Sequence, residues 1–135
     1  MAAIAKSGTP SLSSIVSTPD NTHIVASGIK AAVAIAAFDA CYINSSGQAA
    51  LSTGAAATAP AKVRGYAAMA ASAGEAVTLL TDIEVRYGAG LTPGIDVFLS
   101  GTTAGGLDTL ASTGGTAPIG FVVDATRIRL FGSRY

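Results

Sequence analysis

Residues 83–100 read IEVRYGAGLTPGIDVFLS, and this stretch decides the fold class. Apolar and charged side chains alternate at its start, and the alternation resumes after a turn rich in Gly and Pro. Because successive side chains of a strand point to opposite faces, Ile83 and Val85 are predicted to share one face. Glu84 and Arg86 then share the other face. The pattern therefore predicts two short strands joined by a turn.

Similar short apolar segments recur along the chain and are separated by turns that contain glycine. The predicted strands are the second half of 31–43, then 48–51, 63–70, 75–81, 83–87, 95–100, 107–110, 119–123 and 126–131. Strands at this spacing are typical of sandwiches and barrels. We expect a mainly β fold, a small antiparallel β-sandwich or barrel-like domain with Gly-rich turns and at most a short helix. The apolar run 119–123 is expected to be buried on both faces.

Two alanine-rich segments allow more than one structure. Segment 31–43, AAVAIAAFDACYI, has the composition of a short helix, but its second half is β-branched and aromatic and runs into the turn Asn-Ser-Ser-Gly at 44–47. That half is therefore predicted to be a strand in a hairpin. Segment 52–62 is predicted to be a loop with room for one helical turn.

Residues 1–22 differ from the rest and are predicted to form an extended N-terminal arm ahead of a single domain at 23–135. The arm holds two prolines and a Ser/Thr-rich run, without a sustained period. One interpretation is a frayed terminus without a role. The other is a segment that orders on a partner surface through apolar anchors. Those candidate interface residues are Ile4, Leu12, Ile15 and Val16.

The composition limits the classes of partner. Of the 135 residues, 28 are alanine, half are hydrophobic and 12% are charged. Eight basic residues balance eight acidic ones and lie scattered, whereas a protein that neutralises nucleic-acid phosphates needs clustered Lys and Arg. No nucleic-acid partner is expected. Apolar side chains that one thin core cannot hold are expected to line contacts between subunits.

Side chains that carry chemistry are few. His23 is the single histidine and Cys41 the single cysteine, so neither a catalytic nor a metal site is predicted around them. The glycine-rich segments 88–94 and 101–106 lack the Lys-Ser/Thr of a phosphate loop, and we interpret their glycines as turn residues with positive φ. We expect no enzyme, no cofactor and no small-molecule substrate. The longest apolar stretch, 31–43, is too short to span a membrane, and we expect no secretory signal at the N-terminus.

Four segments in the second half of the chain follow one another in a characteristic order. They are AGEAV (73–77), GLTPG followed by VFLS (90–100), AGG (104–106) and IGFV leading to TRI (119–128). In this order they resemble the capsid cement, or head decoration, proteins of tailed bacteriophages. The resemblance covers roughly half of the chain.

The resemblance implies a structural role in a virus particle. Members of that family are small β-rich proteins that bind the outside of an assembled capsid, commonly as trimers where capsomers meet. They hold neighbouring shell subunits together against the pressure of the packaged DNA. For this chain the resemblance implies a place on the outer capsid surface after synthesis in the bacterial cytoplasm. Its implied partners are the major capsid protein and further copies of itself, most simply in a homotrimer.

Four charged residues on the predicted strands are further interface candidates. Glu84, Arg86, Arg127 and Arg129 either form a cross-strand ladder within the chain or pair across subunits. The rival function is a phage fibre or receptor-binding module that recognises a host surface component. Its recognition loops would be 101–106 and 112–116, which contain no aromatic residue to stack on a sugar.

Overall fold

The structure is a computed structural model that describes residues 3–14 and 24–133. In chain order, the strands of these residues are β1 (Ala3–Ile4), β2 (Ser11–Ser14), β3 (Ile24–Lys30), β4 (Ala40–Ile43), β5 (Ala49–Leu51), β6 (Gly65–Ala67), β7 (Ala76–Leu80), β8 (Ile83–Arg86), β9 (Asp96–Leu99), β10 (Leu107–Asp108), β11 (Gly120–Val122) and β12 (Arg127–Leu130). A 3₁₀ turn, Ala59–Ala61, lies between β5 and β6.

The strands form two antiparallel sheets. The larger sheet has seven strands in the order β1-β10-β9-β11-β12-β8-β2, and the smaller has five in the order β3-β7-β6-β4-β5. Neither sheet closes into a barrel. The predicted mainly β fold is therefore confirmed, including its restriction to at most a short helix within the described residues.

The larger of two hydrophobic cores joins the two sheets, and we call it the inter-sheet core. Its buried side chains are Ile4, Phe38, Ala40, Val63, Tyr66, Ile83, Val85, Tyr87, Val97, Leu99, Leu107, Ile119, Val122, Ile128 and Leu130. Within this core, the Tyr66 hydroxyl donates a hydrogen bond to the Phe131 carbonyl at 2.9 Å, so the polar end of this buried side chain has a partner. Branched aliphatic and aromatic side chains thus supply most of the buried volume.

A second, smaller core lies on the other face of the five-stranded sheet, and we call it the alanine core. Adjacent residues of one strand enter different cores: Ala40 faces the inter-sheet core and Cys41 the alanine core. This is the alternation that a strand imposes when both of its faces are covered. The buried members of the alanine core are Ala31, Ile35, Cys41, Ala49, Ala67, Ala71, Val77 and Leu79.

The predicted strands differ from those of the structure in two respects besides their exact bounds. The run 119–123 was expected to be buried on both faces, but β11 is buried on one face only, since Phe121 is 43% exposed. Phe121 lies on the outer face of the seven-stranded sheet, which no second layer of the described residues covers. The periodicity also does not indicate β1, β2 or β3.

The glycine-rich turns combine two uses of glycine. Gly90, Gly94 and Gly105 have φ between 66° and 86°, as predicted for turn glycines. The prediction is wrong for Gly88, Gly101 and Gly106, which do not have a positive φ. A Cβ atom at Gly88 would lie 2.8 Å from the carbonyl oxygen of Ala5, so glycine here permits close approach of the N-terminal segment.

Candidate interaction surface

The four charged interface candidates share the outer face of the seven-stranded sheet. In the β8–β12 pairing, Glu84 lies opposite Arg129 and Arg86 lies opposite Arg127. Their neighbours Ile83 and Val85 are buried on the inner face, as the alternation predicts. The sequence therefore predicted correctly which side chains share a face.

Arg127 is the electrostatic centre of this face. Its Nη1 atom donates to Glu84 Oε1 at 2.8 Å, and its Nε atom donates to Asp124 Oδ2 at 2.6 Å. The pKa of Asp124 falls to about 2, first because it accepts the backbone N–H of Thr126 and next because it accepts the Arg127 side chain. The same pairing raises the pKa of Arg127. Arg127 and Glu84 thus form the cross-strand pair within one chain.

Arg86 and Arg129 differ from Arg127. Neither forms an ion pair with any of residues 3–14 or 24–133. Arg86 is exposed and Arg129 is partly buried. Both guanidinium groups therefore have N–H donors available for a partner. Of the four charged candidates, Arg86 and Arg129 are the two that remain suitable for a contact between subunits.

The N-terminal candidates take part in the chain's own packing. Ile4 is buried in the inter-sheet core, and Leu12 packs against that core from β2. Ile15 and Val16 lie outside the described residues, as does His23. Whether part of the predicted arm orders on a partner surface stays a prediction.

A polar link also fixes the N-terminal segment. Lys6 Nζ forms an ion pair with Asp39 and donates to the Ala37 carbonyl at 2.9 Å. Asp39 in turn accepts the backbone N–H of Ala36 at 2.9 Å. The backbone N–H of Ser7 donates to the Tyr87 carbonyl at 3.0 Å. Residues 3–14 are therefore joined to both sheets of the domain.

A surface that the sequence did not locate is formed by residues 31–38 and 67–74, which we call the apolar ribbon. The two segments run antiparallel, with reciprocal backbone hydrogen bonds between Ile35 and Ala71 at 2.8 and 2.9 Å. None of the residues in the two segments is charged. The ribbon covers the alanine core with its inner side chains.

The outer side of the apolar ribbon is exposed to solvent. Met69 is 74% exposed and Val33 44% exposed. The exposed alanines of the ribbon are Ala34, Ala36, Ala70 and Ala73. Beside Met69, a shallow groove of about 340 Å³ is lined by residues 68–71 and 75–78. Apart from Glu75 in the groove lining, this surface is uncharged, and exposed apolar surface of this kind is typical of protein interaction sites.

The ribbon ends at a strained residue. Phe38 has φ 60°, which is unfavourable for a bulky side chain, and its backbone N–H donates to the Ala67 carbonyl at 2.7 Å. Its side chain is buried in the inter-sheet core, 4% exposed. Packing in one core therefore holds the backbone turn that ends the ribbon covering the other core.

The two loops considered for receptor recognition are different from each other. Thr102 and Thr103 are exposed, and the Ser100 hydroxyl accepts their backbone N–H groups at 3.2 and 3.0 Å. In the second loop Ser112 is buried and its hydroxyl donates to the Leu99 carbonyl at 2.7 Å. Gly114 is buried as well and donates its N–H to Gly54. The second loop is therefore largely packed into the domain.

No cluster of three or more potential metal ligands occurs in the described part of the chain. Among the same residues, none belongs to a helix with the length and hydropathy needed to cross a bilayer. The chain matches no family model, no curated protein and no solved structure.

Proposed function

We propose that this chain is a structural virion protein that binds the outer surface of an assembled phage capsid and cements neighbouring major capsid subunits as a homotrimer. The observation that carries the proposal is the apolar ribbon, a grouped and uncharged surface on a β-rich domain. The resemblance of segments 73–77, 90–100, 104–106 and 119–128 to capsid cement proteins supplies the partner.

The chemistry of the ribbon suits adhesion to a rigid protein surface. Alanine side chains lose no rotamer entropy when they are covered, so a surface of Ala34, Ala36 and Ala70 is ordered at little cost. Met69 adds a flexible side chain that adapts to an irregular partner surface. Burying a methionine side chain such as that of Met69 against a partner contributes about 1.5 to 3 kcal/mol to the free energy of binding.

The proposed cementing action needs no catalysis. A protein that binds the assembled shell, and not the free subunits, stabilises the shell by mass action. In a trimer, the first contact raises the effective concentration of the second and third, so each ribbon contact can be weak. Arg86 and Arg129, on the outer face of the seven-stranded sheet, leave donors for a separate contact between subunits.

The test is binding to shells assembled from the cognate major capsid protein. The wild-type chain is expected to sediment with assembled shells and not with free capsid subunits. Met69→Lys places a charge on the exposed surface of the ribbon, and we expect at least a tenfold loss of affinity, equivalent to about 1.4 kcal/mol. Leu110→Lys is the matched control, because Leu110 is 50% exposed and lies outside the ribbon.

Three results distinguish the possibilities. Loss of binding in Met69→Lys with normal binding in Leu110→Lys supports the proposal. A wild-type chain that does not sediment with shells contradicts the capsid partner. Equal binding of wild type and Met69→Lys contradicts the assignment of the ribbon as the contact surface.

A further inference from the structure

The two edges of the five-stranded sheet are protected differently. At the β5 edge, Ala31 forms a parallel bridge with Ala49, and the N–H of Ala32 donates to the Ala49 carbonyl at 2.8 Å. The chain thus covers this edge with its own backbone. At the other edge lies β3, which pairs only with β7 among the described strands. Within residues 3–14 and 24–133, the β5 edge is covered at Ala49 and the β3 edge is open.

The open edge is unusual because β3, with seven residues, is the longest strand among those described. Natural sheets generally keep exposed edges short or interrupt them with charges, prolines and bulges, since an open edge pairs with other chains. In β3 the charge and the glycine with positive φ are confined to one end, although its pairing with β7 also has a register shift between Ile24 and Ala26. Gly28 has φ 72° and Lys30 is the only charged residue of the strand. Residues 24–27 have no charge and no proline.

The side chains of β3 also project beyond both cores. Ile24 is 40% exposed and Val25 is 41% exposed, although consecutive strand residues face opposite sides. Only Ile29 of this strand packs against a core. Register shifts between Ile24 and Ala26 and between Ala26 and Ile29 break the regular alternation. Residues 24–27 therefore form an exposed apolar edge, which we call the β3 edge.

We propose that the β3 edge pairs antiparallel with the β3 edge of a second copy of this chain. The two five-stranded sheets then continue into one sheet across a two-fold axis. Backbone hydrogen bonds supply the attraction, and Ile24 and Val25 supply β-branched pairs between the strands. This inference does not depend on binding to a capsid.

The charges of the chain favour a second copy in this orientation. Each β3 has a single charge at Lys30, near its end. Antiparallel pairing places the two Lys30 side chains at opposite ends of the joint, whereas parallel pairing in register places them side by side, which is unfavourable. The formal net charge of the chain is zero, so no overall repulsion opposes the approach of two copies.

The first experiment measures self-association of the full chain by sedimentation over a range of concentrations. A two-fold contact at least doubles whatever assembly other interfaces hold, so Val25→Lys is expected to reduce the mass of the largest species to half or less. The dissociation constant for self-association should be at least tenfold higher for Val25→Lys than for the wild type. Val33→Lys is the matched control, because Val33 is also a valine, is 44% exposed and lies on the apolar ribbon instead. Circular dichroism checks that both variants fold.

The second experiment determines the orientation by single cysteines at each of positions 24–27. In an antiparallel pair, disulfide cross-linking between copies peaks at one position or two adjacent ones, where the two-fold axis passes. Uniform cross-linking along the strand indicates parallel pairing and contradicts the proposal. The wild-type chain is the background control, since its one cysteine, Cys41, is fully buried.

The outcomes separate this inference from the proposed function. Unchanged self-association in Val25→Lys overturns the β3 pairing, whatever Met69→Lys does to shell binding. Loss of shell binding in Val25→Lys, without any self-association of the wild type, shows that the edge takes a capsid segment and likewise overturns it. If the wild-type chain self-associates through β3 but does not bind shells, the β3 pairing is supported and the capsid role is contradicted.

Discussion

Both cores of this domain are formed by side chains of antiparallel β-strands, but the side chains that fill them are very different. The inter-sheet core contains Leu99, Leu107, Leu130 and two tyrosines, whereas alanine accounts for half of the eight buried members of the alanine core. Hydrophobic stabilisation scales with the apolar area removed from water, so a core of alanines contributes less per residue. The inter-sheet core therefore supplies most of the stability, and the alanine core allows a thin covering layer.

That thin layer explains why the apolar ribbon has exposed side chains. The apolar ribbon covers the alanine core with small side chains, and only Ile35 inserts a large one from residues 31–38 into it. With little volume to bury inward, the ribbon keeps Val33 on its outer side. The composition predicted apolar residues in excess of one core; the structure shows that the excess forms a second core and an exposed ribbon.

The comparison is tested most strongly by making one chemical change in each core. Ile128→Ala removes a fully buried side chain from the inter-sheet core. We expect a loss of about 4 kcal/mol in the free energy of unfolding, in the upper half of the range for Ile→Ala, because two sheets surround the site and restrict its collapse. Urea denaturation followed by circular dichroism measures the loss.

Ile35→Ala makes the same change in the alanine core, where Ile35 is 3% exposed. The covering ribbon can collapse into the space, so we expect a loss of about 2 kcal/mol, at the low end of that range. Hydrogen exchange should show faster exchange at the amides of Ile35 and Ala71, which hydrogen-bond each other's carbonyls. Equal losses for Ile35→Ala and Ile128→Ala would falsify the distinction between the two cores.

Cys41 provides a probe of how the alanine core opens. It is fully buried, and burial raises the pKa of its thiol to about 12, with a further increase from Asp39. The thiol therefore stays protonated at pH 8 and reacts with a thiol reagent only after opening. In Ile35→Ala the free energy of the opening that exposes Cys41 should fall below the free energy of global unfolding. In Ile128→Ala the two should stay equal; a gap there contradicts the prediction.

The parts of the fold that the sequence predicted are those where period-two alternation is intact. Strands β8 and β12 follow the pattern, and their charged face follows directly from it. In β2 and β3 the alternation is broken by register shifts, between Leu12 and Ser14 and at two places in β3. Each shift moves later side chains to the other face, so these strands leave no regular period in the sequence.

The apolar ribbon was missed for a different reason. Segment 31–38 is mostly alanine, which is the best helix former and also fits a close-packed extended segment. Its conformation is decided by partners distant in the chain, Ala49 and Ala71. Only the absence of charge in both 31–38 and 67–74 signals the surface, and that signal does not say which side chains are exposed. For the Glu84–Arg127 pair, by contrast, the alternation predicted the shared face and left open whether the charged residues pair within the chain or across subunits.

The smallest expected effect concerns Asp124, on the exposed rim of the sheet that covers the inter-sheet core. Its folded pKa is lowered from 3.8 to about 2, so its ionised form stabilises the fold above pH 4, and this contribution disappears as the pH falls through 2. Wild type should thus be more stable than Asp124→Asn at pH 5, with the difference vanishing near pH 2. Thermal melts across this range measure it.

Arg127→Gln separates the causes of that pH dependence. The largest cause is the backbone N–H of Thr126, and the Arg127 side chain comes second. In the Arg127→Gln background, Asp124→Asn should therefore still lower stability at pH 5, by a smaller amount than in the wild-type background. If the pH-dependent difference disappears altogether in that background, the ion pair and not the backbone hydrogen bond holds the carboxylate. The hairpin turn would then depend on its partly exposed arginine, and its stability would fall with added salt.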